Sequence, residues 1–147
     1  MKNFLKCTVS MVATIIGLNS GCKDQGSDIT TSPPPTQEIS FASQIQAIFN
    51  SSSNGCTGCH GGSGGLFLTQ GQSYQNLVNQ QAQTGCSNLK RVLPFKADSS
   101  VLYIRVSSTS ADTPCGQNSR MPQGGNRIAQ SDIDLIRDWT NQGAKNN

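Results

Sequence analysis

Cys56-Thr57-Gly58-Cys59-His60 decides the reading of this chain. Two thiols three positions apart, with an imidazole on the very next residue, fit within one short helical turn. C-x-x-C-H is the attachment pattern for c-type haem. The spacing has a chemical reason. Two thiols must reach the two vinyl groups on one porphyrin edge, and the adjacent histidine must turn its ring under the iron. Three other readings compete. A thioredoxin-like redox pair needs a surrounding βαβ pattern, and none is visible. A zinc site needs four ligands; His60 is the only histidine, so Cys86 and Cys115 would have to complete the set. Chance occurrence is the blandest reading.

A sixth ligand follows by elimination. Met1 and Met11 fall in an N-terminal leader, leaving Met121 as the only methionine of the remaining chain. A thioether is a soft ligand that suits haem iron and raises its potential. The ordinary alternative is a methionine filling a core gap. Against it, Gly116–Arg120 before and Gln123–Asn126 after are loop sequence. Pro122 fixes the backbone directly after the sulfur.

The ends of the chain have their own composition. Residues 1–21 carry Lys2 and Lys6, an uncharged apolar stretch at 7–18, then small residues, which is the order of a signal peptide. The apolar run is too short to span a bilayer permanently. Leu18-Asn19-Ser20-Gly21-Cys22 resembles a bacterial lipoprotein box and makes Cys22 a candidate for lipidation, although Asn19 stands where a large aliphatic residue is usual. Ordinary cleavage with an unmodified Cys22 is the alternative. Residues 22–39, with three consecutive prolines and many Ser, Thr and Asp residues, read as a disordered tether. Residues 40–147 form the folded domain, whose thin core needs help from a cofactor or a disulfide.

Every one of the six cysteines then has a role. Cys7 leaves with the leader, Cys22 is the lipid candidate, and Cys56 and Cys59 form the motif. Cys86 and Cys115 remain, and in an oxidising compartment the leftover pair favours a disulfide. The expected location is outside the cytoplasm, in the periplasm or cell envelope, with membrane association through the lipid anchor. The full chain is formally +3; without Lys2 and Lys6, nine basic residues face eight acidic ones. No basic run points to nucleic acid.

Helical periodicity surrounds the motif. Phe41, Ile45, Ile48 and Phe49 recur on one face, with Ser40 placed to cap it. Gly61–Gly65 leads into Leu66-Phe67-Leu68, and Tyr74, Leu77 and Val78 suggest a second short helix. After the apolar turn Val92-Leu93-Pro94-Phe95, Ser99 or Ser100 precedes Val101, Leu102, Ile104 and Val106. That run is β-branched, so a strand rivals the helix. Ser131 is the expected cap of a last helix carrying Ile133, Ile136 and Trp139 and ending at Gly143.

Taken in order, these pieces resemble the small bacterial cytochrome c domain, class I-like, of the kind called planctomycete-type in periplasmic and lipoprotein sequences. The likeness runs from about Phe41 to Ala144, and C-x-x-C-H is its one specific motif. It implies an all-α cytochrome c-like fold of about four short helices with long loops round one haem. It also implies covalent attachment at Cys56 and Cys59, His60 as proximal ligand and Met121 as distal ligand. Three departures stand out. The family's Pro-Gly-Asp-Pro turn is here Pro94-Phe95-Lys96-Ala97, Thr140 follows Trp139 where an aliphatic is common, and Cys86 and Cys115 are not general. Cys115 lies six residues before Met121, so a bridge to Cys86 would pin the distal loop.

The function this implies is one-electron transfer to and from a redox protein partner whose identity the residues do not name, with no substrate chemistry. No Ser-His-Asp set, paired carboxylates or phosphate loop stands out. Two rivals remain: a peroxidase or gas-binding haem with an open distal position, and a surface-anchored binding module in which haem is structural or absent. Lys90, Arg91, Arg105 and Arg120 are candidates to neutralise haem propionates, each with solvated surface as the ordinary alternative.

Overall fold

Ser40 opens the first helix as expected: its hydroxyl oxygen accepts from the Ser43 N–H at 3.3 Å. The structure is a computed structural model and describes residues 37–62, 65–83 and 85–147. The leader, Cys22 and nearly all of the tether lie outside the described residues. A π-helical turn, Phe41–Ile45, runs into α1, Gln46–Asn50. Phe41, Ile45, Ile48 and Phe49 are all buried, so the periodic face is the core face.

The remaining elements are short. They are α2, Cys56–Cys59; α3, Ser73–Leu77; a 3-10 turn, Ala97–Ser99; α4, Val101–Ser107; and α5, Gln130–Asn141. The described residues are helical without a strand, carrying isolated β-bridges such as Val78 with Val92 and Lys90 with Ser100. The fold class is therefore all-α, with long connections between the helices.

The β-branched run after Ser100 is helical. Lys90 and Arg91 meet its start, accepting from Val101 N–H and Leu102 N–H at 3.0 and 2.9 Å, but a strand needs a partner along its length, and Val101–Ser107 closes a helix. Ser100 fixes the entry instead: its hydroxyl donates to the Lys96 carbonyl at 2.8 Å and accepts from the Leu93 N–H at 2.9 Å. Val101 is then buried with the two cysteines and Val106 in the main core.

The start of α5 is a correction. The cap position is Ala129, not Ser131, and no side chain caps it. Burial of Ile128 at 6 % exposure pins the chain just before, so the helix begins at Gln130, one residue ahead of Ser131. The core face of α5 is as read: Ile133, Ile136 and Trp139 are buried. Phe95 takes the departing turn with φ +65°, a region that side chains disfavour. Its N–H donates to Thr140 O at 2.8 Å, tying the turn to α5.

The main core joins the first helix, α3, α4 and α5 around Trp139. Phe41 packs edge-on against Tyr74, ring centroids 5.2 Å apart, and tilted against Trp139 at 5.3 Å. A smaller cluster gathers Ala82, Val101 and the cysteines 86 and 115. Cys86 and Cys115 form a disulfide, S–S 2.05 Å, across a separation of 29 residues. Closing a loop of that length is worth about 3–4 kcal/mol in chain entropy. The thin core thus has the staple its size calls for. Among the described residues no helix is long and apolar enough to cross a membrane.

Candidate functional site

Gly55, with φ +64°, turns the chain out of α1 and into the single turn of α2. That turn presents Cys56 and Cys59 on its first and last residues. The His60 N–H donates to Cys56 O at 2.9 Å, so His60 continues the same turn. Its carbonyl accepts from the Leu68 N–H at 2.8 Å, which draws the apolar segment after the glycine-rich stretch back alongside the motif. Gly61 sits where only a glycine fits: a Cβ there would lie 2.5 Å from Thr57 O.

Cys56, Cys59, His60 and Met121 line a single cavity of about 290 Å³. These four residues come from two distant stretches of chain, and the fold brings them together. The rest of the wall is mainly apolar, with Ile48, Phe49, Leu68, Leu77, Val106 and Ile136 among its members. Cys56 and Cys59 are free thiols; Cys56 is half-buried and Cys59 exposed. Burial, then the nearby charge of Asp132, push the Cys56 thiol up, against a backbone hydrogen bond that pulls it down. Met121 is partly buried against the main core, and its N–H donates to Arg105 O at 2.9 Å.

His60 is half-buried, and its Nδ1 is buried with no hydrogen-bond partner. Buried polar atoms are nearly always satisfied, so an orphaned imidazole nitrogen invites a ligand. Burial and then the guanidinium charges of Arg105 and Arg91 hold the imidazole below its ordinary value. Both effects favour the neutral ring, the form that binds a metal.

Arg91 and Arg105 line the cavity, and among the described residues no carboxylate does. Arg91 also braces the wall: Nη1 donates to Asn76 O at 2.8 Å and Nη2 to Gly65 O at 3.0 Å. Lys90 and Arg120, the other two candidates for an anionic group, are not part of this wall. Burial lowers the Arg105 guanidinium.

Sequence reasoning missed a residue that holds the motif. Asn54 is buried two residues before Cys56, and its amide donates to Ile48 O at 3.1 Å and to Asp132 Oδ2 at 3.2 Å. It joins the end of the first helix, the motif turn and the first turn of α5. Nothing in the local pattern marks it, because both partners are fixed only by the tertiary fold. Gln83 and Gln123 also line the cavity unannounced. Replacing Asn54 by alanine leaves the Ile48 carbonyl without this donor and should cost about 1–3 kcal/mol. A urea unfolding midpoint equal to that of the parent would show that these bonds contribute nothing.

The donor chemistry fits a covalently held haem. Two unbridged thiols, an unsatisfied imidazole nitrogen and a thioether meet in one apolar cavity. A four-ligand zinc set is not assembled, since the disulfide consumes Cys86 and Cys115. Among the described residues, no group of three or more His, Cys, Asp or Glu side chains could hold a metal. No protein-family model, curated protein or solved structure matches the chain.

Proposed function

We propose that the chain is a mono-haem c-type cytochrome, an electron carrier with a cytochrome c-like fold. The observation that carries this reading is the convergence of Cys56, Cys59, His60 and Met121 on one apolar cavity. Cys56 and Cys59 would hold the group through thioethers. His60 and Met121 would supply the axial nitrogen and sulfur. When bound, haem supplies a one-electron ferrous–ferric couple, and its potential is raised by a thioether ligand and a dry surrounding.

The protein's own part is to fix and seal. The α2 turn orders both thiols and the imidazole over five residues. A group filling this mainly apolar cavity would displace water from it, which would lower the local dielectric and strengthen charge effects. Arg91 and Arg105 would offer two guanidinium groups to the carboxylates of the macrocycle. Export, lipid attachment at Cys22 and docking to a redox protein at a membrane surface belong to the same reading.

Met121 on the cavity wall favours a closed iron over a peroxidase or gas-binding site. The ferric spectrum of the purified holoprotein tests this. A weak red-edge or near-infrared band from iron–methionine charge transfer is the expected result, together with poor CO binding by the reduced form. No such band, with rapid CO binding, would establish the open-site reading instead.

A further inference from the structure

We propose that the Cys86–Cys115 disulfide positions Met121 as the sixth iron ligand, so that cutting it opens the distal side while leaving the haem attached. The proposal rests on the cytochrome reading above. Met121 follows a long irregular connection from the end of α4. Every hydrogen bond described for residues 109–119 stays within residues 108–123. Among these are the pair between Thr113 and Gly116 at 2.9 and 3.1 Å, Asn118 N–H to Asp112 Oδ1 at 2.8 Å, and Arg120 N–H to Ala111 O at 3.0 Å. Such a segment has internal order but little hold on the rest of the domain. The Met121 N–H to Arg105 O bond secures its far end.

The disulfide supplies the remaining hold. Cys86 belongs to a stretch that is itself anchored: Ala82 N–H donates to Leu89 O at 3.0 Å, Arg91 N–H to Gln80 O at 2.7 Å, and Val101 N–H to Lys90 O at 3.0 Å. That stretch also contributes Ala82 and Gln83 to the cavity wall. One covalent bond therefore joins two segments that line the same cavity, one of which carries Met121. Both cysteines are buried, at 4 % and 3 % exposure, in a small cluster with Ala82 and Val101. Backbones approach closely there. A Cβ on Gly85, whose φ is +74°, would lie 1.7 Å from Cys115 O. With the bridge cut, Met121 would keep one backbone bond and its partial packing on the core; a loop end so lightly held samples more positions, and a weak thioether–iron bond competes poorly against that freedom.

The test compares holoprotein with the double variant Cys86→Ser/Cys115→Ser. Covalent haem per chain should be unchanged. The iron–methionine band should be lost from most molecules, and CO affinity of the reduced form should rise by roughly ten-fold or more. A fall in melting temperature alone would not support the proposal, since a merely structural brace also lowers it. An unchanged band and unchanged CO affinity in the haem-bearing double variant would overturn it. If the double variant does not accumulate, reduction of the bridge in the folded parent holoprotein, verified by counting the two freed thiols, decides. A normal band with normal CO affinity once Cys86 and Cys115 are both free would overturn the proposal there too. Parent protein lacking covalent haem would overturn the functional reading itself, and this proposal with it.

Discussion

Replacing Trp139 by alanine is expected to remove most of the domain's stability. The indole is 1 % exposed and lies where the first helix, α3 and α5 meet. It packs on Phe41, which in turn meets Tyr74 edge-on. Its Nε1–H donates to Lys145 O at 3.0 Å, and Tyr74 donates its hydroxyl to the neighbouring Ala144 O at 2.9 Å. These bonds lay the C-terminal tail across the core, and the tail ends by accepting from Ala42 N–H at Asn147 O, 2.9 Å. Truncating a buried tryptophan costs about 3–5 kcal/mol through lost transfer energy and the cavity left behind. A domain of this size has a total stability on the order of 5–15 kcal/mol. Thermal melting should fall by roughly 15 °C or more, at about 4–8 °C per kcal/mol. A fall of only about 5 °C or less would mean that the aromatic cluster is not the keystone of this core. Trp139→Phe should recover most of the loss, because it refills most of the cavity and forfeits one hydrogen bond.

Met121→Ala is expected to leave the covalent haem in place and change its spectrum and potential. The four residues assigned to the iron and the porphyrin edge divide by role. Cys56, Cys59 and His60 lie on one turn, whereas Met121 comes from a separate loop and would serve only as the distal ligand. The iron–methionine band should vanish, and the potential should drop by on the order of 0.1 V, a fraction of the ~0.8 V range that axial ligands command. Stability should fall by only about 1–2 kcal/mol, below the range for fully buried methionines, because Met121 is partly exposed. His60→Ala, by contrast, removes the ligand nearest the attachment turn and should lower haem incorporation itself. An alanine variant at Met121 with the parent spectrum and potential would remove it from the axial role and reopen its reading as a core filler.

The difference between what could and could not be read from the chain follows the range of the interactions. The motif turn is local: Cys56 and Cys59 lie on α2 and His60 is the residue that ends it. The apolar stripes of the first helix and α5 were equally legible, since period and burial are both properties of a single helix. The bridge between Cys86 and Cys115 followed from counting cysteines, and the pair is joined. Start points were less legible. Ser131 has the right chemistry for a cap, but burial of Ile128 sets the start of α5 at Gln130. Long-range polar pairs left no trace at all. Gln46 is buried, donates to Leu68 O at 3.0 Å and accepts from the Ser73 hydroxyl; a polar residue inside an apolar stripe gives no hint of partners more than twenty positions away. The same holds for the four basic candidates. Their type suggested carboxylate binding equally for all, and only the fold separates Arg91 and Arg105, on the cavity wall, from Lys90 and Arg120, outside it.

Covalent haem is the central claim, and one measurement reaches it directly. The chain, expressed with export and haem-attachment machinery, is denatured, and its intact mass and pyridine haemochrome spectrum are recorded. The account expects the mass of one haem per chain, surviving denaturation, with the haemochrome of a twice-attached group that becomes singly attached in Cys56→Ser or Cys59→Ser. A denatured chain of bare polypeptide mass with no haemochrome would contradict it.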